Sequence, residues 1–132
     1  MLSLQNGIVI TGSDKKIKLW FRGEQQKEIE AHTDCIRSLV EVPDLNAFAS
    51  GSNDCTVKLW SMDGTHLADF KGHTGFVYSV DCLESGELVS ASDDCTVRVW
   101  KADTANCIQT IQLPSSAWSI THNKKGDLLI GC

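Results

Sequence analysis

A repeat constrains this chain more than any other feature of it. SGSNDCTVKLW, Ser50 to Trp60, returns forty residues later as SASDDCTVRVW, Ser90 to Trp100, and a shorter version, TGSDKKIKLW, precedes both at Thr11 to Trp20. Trp20, Trp60 and Trp100 stand 40 residues apart, as do Asp14, Asp54 and Asp94. A unit that recurs at such a period buries its apolar face against its neighbours, so the period decides the architecture before any local pattern is read. Within the unit, CTVKLW and CTVRVW alternate in polarity and are rich in β-branched residues, as a half-buried strand requires. Ser-Asn-Asp and Ser-Asp-Asp just before them are turn formers and predict a tight hairpin. The expected class is all-β.

Upstream of the two full repeats lie AHTDCIRSLV, Ala31 to Val40, and GHTGFVYSV, Gly72 to Val80. His32 precedes Trp60 by 28 residues and His73 precedes Trp100 by 27. A Gly-His early and a Trp late in a unit of about 40 to 45 residues resembles the WD repeat, in which each unit forms a four-stranded blade of a β-propeller. The resemblance implies a hydrogen-bonded tetrad inside each blade: His32, Ser50, Asp54 and Trp60 in one, His73, Ser90, Asp94 and Trp100 in the next. A buried carboxylate and imidazole need such partners, because unpaired they cost stability.

The expectation along the chain is a WD-repeat β-propeller fragment, with two complete four-stranded blades and a partial blade at each end. Its divisions are a partial blade over 1–22, blades over 23–61 and 62–101, and a partial blade over 102–132. The first unit is one residue short before Asp14 and starts too late to hold the corresponding His. Phe21 to Gln26 reads as a polar turn, with the outer strand beginning at Lys27. In the last unit Leu113-Pro114 stands where the Gly-His would be. Two whole and two partial blades do not close a ring, so the expectation is a piece of a propeller of about seven blades, poorly soluble alone because its sheet edges are open.

Composition narrows the function. The net charge of −5 argues against non-specific nucleic-acid binding, and the apolar runs are too short for a membrane span. Cysteines 35, 55, 82, 95, 107 and 132 include no CxxC pair, and Cys55 and Cys95 are one repeat position seen twice, so reduced structural thiols are expected rather than a metal site or disulfides. No phosphate-binding loop or HExxH is present, and no cofactor is expected. The Ser-His-Asp sets occur once per repeat, which marks them as architecture; no catalytic residues and no enzyme activity are expected. Cys35 beside Asp34 is a poor nucleophile, because a neighbouring carboxylate raises a thiol pKa. His66 and His122 stand alone and are expected to be solvated or locally bonded.

Three stretches narrow the resemblance. CIQTIQLPSSAWSI, Cys107 to Ile120, followed by GDLLIGC, is similar to the phospholipase A-2-activating protein family, as are AHTDCIRSLV and CTVRVWKADTANCIQTI. Those are ubiquitin-binding propeller proteins that work with an AAA segregase of the valosin-containing protein type. The resemblance implies ubiquitin or ubiquitinated proteins as partners, the segregase through regions outside this chain, a role in ubiquitin-dependent degradation, and a cytoplasmic and nuclear location. A generic scaffold of the G-protein-β or ligase-adaptor kind is the alternative. In propellers of this type three positions per blade face partners: three and five residues after the His, and the residue before the tetrad Asp. Here they are Cys35, Arg37 and Asn53, then Phe76, Tyr78 and Asp93, with Ser116 and Trp118 in the last unit. Arg, Tyr and Trp are the residues enriched in interface hot spots. Phe76, Tyr78 and Trp118 are expected to form an apolar patch with Arg37 and Asp93 at its rim; packing of these aromatics between blades is the other possibility.

Overall fold

The computed structural model describes residues 2–4 and 6–132. The stretches of alternating polarity form strands, and within each sheet a strand pairs antiparallel with the next in sequence. Three four-stranded meanders and one hairpin result. The first contains β1 (Leu2–Ser3), β2 (Ile8–Ser13), β3 (Lys16–Phe21) and β4 (Glu24–Glu30). The second contains β5 (Ile36–Val42), β6 (Ala47–Ser52), β7 (Val57–Ser61) and β8 (His66–Phe70). The third contains β9 (Val77–Cys82), β10 (Leu88–Ser92), β11 (Thr96–Lys101) and β12 (Asn106–Gln112). The hairpin pairs β13 (Ser119–His122) with β14 (Leu128–Gly131). A single 3-10 turn, Pro43–Leu45, is the only helical element among the described residues. No helix is long and apolar enough to cross a membrane.

The sequence unit and the sheet are offset by one strand. The unit 23–61 begins with β4, the outer strand of the first sheet, and ends with β7 of the second. The outer strand β4 also starts earlier than expected, at Glu24 rather than Lys27. The chain reverses over Arg22 and Gly23 alone, both left-handed at φ 51° and 79°. Two successive positive φ values match the twist of the flanking strands, so two residues suffice where a longer polar turn was expected.

The core lies between sheets. Leu4, Ile10, Ile17 and Leu19 of the first sheet pack with Phe48 and Trp60 of the second. Val42, Ala49 and Phe70 of the second pack with Val77, Val80, Leu88 and Trp100 of the third. Val89, Ala91 and Val97 of the third meet Ala117 and Ile120 of the hairpin. Close approach needs a small residue on each second strand. A Cβ on Gly51 would stand 2.9 Å from Val77 Cγ1, and one on Gly12 2.9 Å from Ile36 Cγ2.

The innermost strands also bond across the sheet boundaries. Val80 N–H donates to Ser38 Oγ at 3.2 Å, and Ile120 N–H donates to Ser79 Oγ at 3.4 Å. His122 is not locally bonded as expected: its Nδ1 lies 2.6 Å from Asp81 Oδ2 on the neighbouring sheet. The spacing that sets β13 beside β9 brings together residues 41 apart, a pairing invisible to a local reading. His66 does bond locally, to Asp69 at 2.8 Å, with its ring edge-on to Trp60.

Candidate functional site

Two clusters compete for the functional role, and their geometry separates them. In the second sheet, the loop before β5 carries His32, β6 carries Ser50, the β6–β7 turn carries Asp54, and β7 carries Trp60. His32 Nδ1 lies 2.7 Å from Asp54 Oδ2 and its Nε2 lies 2.7 Å from Ser50 Oγ. Trp60 Nε1–H donates to Ser50 Oγ at 2.9 Å. The third sheet repeats this: His73 to Asp94 at 2.8 Å, His73 to Ser90 at 2.7 Å, and Trp100 Nε1–H to Ser90 at 2.8 Å. One assignment of protons satisfies every atom: Nδ1–H donates to the carboxylate, Nε2 accepts the serine O–H, and that oxygen accepts the indole N–H.

The electrostatics of the third sheet agree with a neutral imidazole and an ionised carboxylate. Burial holds the His73 imidazole below its ordinary range, outweighing the opposite pull of Asp94. Burial works against the Asp94 carboxylate too, but hydrogen bonds from Thr96, His73 and Thr74 prevail and hold it at about 2. Asp54 is likewise held well below the usual carboxylate range, with bonds from His32, Thr56 and Thr33 overcoming its desolvation.

Thr56 and Thr96 are members of these clusters that the four-residue pattern misses. Thr56 donates both its N–H, at 3.0 Å, and its hydroxyl, at 2.6 Å, to Asp54 Oδ1. Thr96 does the same to Asp94, at 2.9 and 2.5 Å. The signal is present in the sequence, since Cys-Thr directly follows the tetrad Asp in both repeats. Chemically these sets resemble a hydrolase triad, but Ser50 and Ser90 are fully buried and their oxygens already accept an indole N–H. A nucleophile needs an oxygen that a substrate can reach. These serines are sealed inside the sheet packing.

The second cluster is exposed. β5 and β9 each carry a bulge at the same repeat position: pairing jumps from Ile36↔Ser52 to Ser38↔Gly51, and from Val77↔Ser92 to Ser79↔Ala91. The skipped residues are Arg37 and Tyr78. Bulges re-aim side chains out of the strict alternation of a strand. Arg37 Nε–H donates to Asn53 Oδ1 at 2.8 Å, and the guanidinium lies 5.9 Å from the Tyr78 ring centroid. Phe76 meets Tyr78 edge-on at 6.2 Å. Arg37, Tyr78 and Trp118 line an open cleft of about 390 Å³, and Trp118 is 66% exposed.

The expected face residues therefore do not all play one part. Phe76, at 41% exposed, and Trp118 are presented to solvent. Arg37 is exposed and lines the cleft beside Tyr78, with its Nε–H held by Asn53. Asn53 is only 9% exposed; its N–H donates to Cys35 O and its side chain holds Arg37. Asp93 is exposed and accepts the Ser116 hydroxyl at 2.9 Å. The Cys35 thiol donates to Asp14 at 3.4 Å, and that bond pushes its pKa up. All six cysteines are free. Among the described residues no group of His, Cys, Asp and Glu has the arrangement of a metal centre.

Comparison with known proteins places the repeat. The family described as WD domain, G-beta repeat matches residues 23–61 and 64–101, more than half of the chain. Ubiquitin homeostasis protein lub1 of Schizosaccharomyces pombe is 45% identical over 106 residues, covering 80% of this chain and 14% of that protein. Nuclear distribution protein PAC1 of Arthroderma otae is 43% identical over 54 residues, 40% of this chain and 12% of its own length. Probable cytosolic iron-sulfur protein assembly protein 1 of Eremothecium gossypii is 34% identical over 91 residues, 60% of this chain and 28% of its own length. The chain thus spans less than a third of each of these relatives. With its 40-residue period, its meander sheets and two formed tetrads, it belongs to the WD-repeat family.

Proposed function

We propose that this WD-repeat segment, a protein-interaction scaffold, binds ubiquitin or ubiquitinated proteins through the face carrying Phe76, Tyr78 and Trp118. The observation that carries the reading is the exposed aromatic group of Trp118 beside the bulge-borne Tyr78, in a protein that otherwise buries its tryptophans or bonds them within a sheet. An aromatic residue held in the open at the mouth of a cleft is what an interface hot spot needs. The similarity to a protein named for ubiquitin homeostasis supports ubiquitin as the partner. Ubiquitin's commonly recognised patch is apolar with basic neighbours. Phe76, Tyr78 and Trp118 would meet the apolar part, and Asp93 the basic one. On this reading the protein serves ubiquitin-dependent degradation in the cytoplasm and nucleus, with an AAA segregase engaged by regions outside this chain.

The test is titration of labelled ubiquitin by NMR or calorimetry. Trp118→Ala is expected to weaken binding by about 2 kcal/mol or more, as hot-spot truncations do. Asp93→Lys is expected to slow association, most visibly at low salt. Both variants must melt as the wild type does. Absence of binding by the wild-type protein would refute the reading and favour a scaffold with another partner, in keeping with the similarity to nuclear-distribution and iron-sulfur-assembly proteins.

A further inference from the structure

Arg37 is prepared for a partner group that the chain does not supply. Its Nε–H is taken by Asn53 Oδ1 at 2.8 Å, and Asn53 is itself held in place by its N–H bond to Cys35 O. One edge of the guanidinium is thereby fixed. Among the described residues no carboxylate lies within ion-pair distance of Arg37, and no acceptor bonds its Nη atoms. The carboxylates of the expected binding face and its loop have donors of their own: Asp34 Oδ1 accepts Cys35 N–H at 2.7 Å, and Asp93 accepts the Ser116 hydroxyl. The flanks of the cation are aromatic, with Tyr78 at 5.9 Å and Trp118 lining the same cleft.

We infer that this cleft recognises an acidic side chain of a partner protein, a Glu or Asp flanked by apolar residues, through the free Nη edge of Arg37. The planar fork of arginine matches a carboxylate with two parallel N–H···O bonds, which a lysine cannot do. The aromatic walls take the apolar neighbours of the acid. The cleft is open and lined from three successive units, so an extended segment can run across it and present the acid as an internal side chain. A cationic group entering alone is repelled. Asn53 is the positioning residue, setting the guanidinium before the partner arrives. The inference rests on the same face as the proposed ubiquitin site, and it adds a requirement that the apolar patch alone does not make.

The experiment uses three peptides as probes: acetyl-Leu-Glu-Leu-amide, its Gln counterpart, and acetyl-Leu-Leu with a free carboxylate. Shifts of the Trp118 indole and Arg37 Nε–H signals report occupancy. The Glu peptide is expected to bind about tenfold tighter than the Gln peptide, the size of a charge-assisted bond. Arg37→Gln is expected to abolish that preference, Arg37→Lys to keep only part of it, and Asn53→Ser to reduce it with no change in Gln-peptide binding. Equal binding of the Glu and Gln peptides, a preference that survives Arg37→Gln, or no binding by any probe overturns the inference. Tighter binding of the free-carboxylate peptide overturns the choice of an internal acid. Ubiquitin titrated against Arg37→Gln separates the two proposals. Unchanged ubiquitin affinity removes the carboxylate requirement and keeps the ubiquitin reading. Glu-peptide binding with no ubiquitin binding does the reverse.

Discussion

The first sheet and the two that follow share strand order, turn positions and a tryptophan at the end of the third strand, yet they are fastened differently. In the second and third sheets the tryptophan indole meets a serine that is bonded to a histidine, which is bonded in turn to an aspartate in the hairpin. In the first sheet Trp20 Nε1–H donates to Thr11 Oγ1 at 3.0 Å, and among the described residues no histidine joins that pair. The hairpin is one residue shorter, Asp14 is left-handed at φ 53°, and its carboxylate faces Cys35 of the next unit instead of an imidazole. All three ladders carry the same register shift at the tryptophan, between Leu19 and Trp20, Leu59 and Trp60, and Val99 and Trp100. The strand pattern is therefore enough to make the sheet. The tetrad does a separate job: it ties the loop entering each innermost strand to the far hairpin and the third strand.

The largest expected effect sharpens that contrast. Trp100 is 1% exposed and packs edge-on against Phe70, so Trp100→Ala is expected to cost about 3–5 kcal/mol. Trp20 is only half-buried, and Trp20→Ala should cost visibly less in the same denaturant titration. Equal costs would mean that the tetrad adds nothing to the third sheet. A smaller effect is expected at the hairpins. Asp54→Ala leaves His32 Nδ1–H and the Thr56 donors unmatched, at about 1–3 kcal/mol, whereas Asp14→Ala loses only a thiol contact at the surface and should cost less. A Tm for Asp54→Ala equal to wild type would break the assignment.

These costs turn on residues of differing visibility in the sequence. The tetrads and strands were legible because the repeat shows each twice, and repetition separates architecture from chemistry. Asn53 was legible as a face residue but not as a buried brace for Arg37, because burial depends on the neighbouring strand. The bulges at Arg37 and Tyr78 leave no compositional mark; they are set by ladder register, a property of two strands together. The His122–Asp81 bond was hidden for the same reason, since it joins different sheets.

Acid should reveal the tetrads with a definite sign. The buried His73 imidazole is held below its ordinary 6.5, so the unfolded chain takes up that proton first; its contribution is full above about pH 6.5 and falls as pH drops below it. Asp94, held at about 2 against an ordinary 3.8, contributes fully above 3.8 and loses that contribution as pH falls through about 2. Melting followed against pH should decline in both windows. A Tm independent of pH between 7 and 5 would contradict a neutral, buried His73. The smallest effect is expected at Cys55, left-handed at φ 71° in the second hairpin. Cys55→Gly should stabilise by up to about 1 kcal/mol by relieving that strain, and a loss of stability would show that the cysteine side chain contributes more than its backbone costs.

Amide hydrogen exchange of the unmodified protein tests the central claim, that tetrads fasten the second and third sheets beyond what strand pairing alone achieves. The amides of β7 and β11, Val57–Ser61 and Thr96–Lys101, are expected to exchange more slowly than those of β3, Lys16–Phe21, which occupy the same third-strand position without a histidine. Protection of β3 equal to or greater than that of β7 and β11 would contradict it.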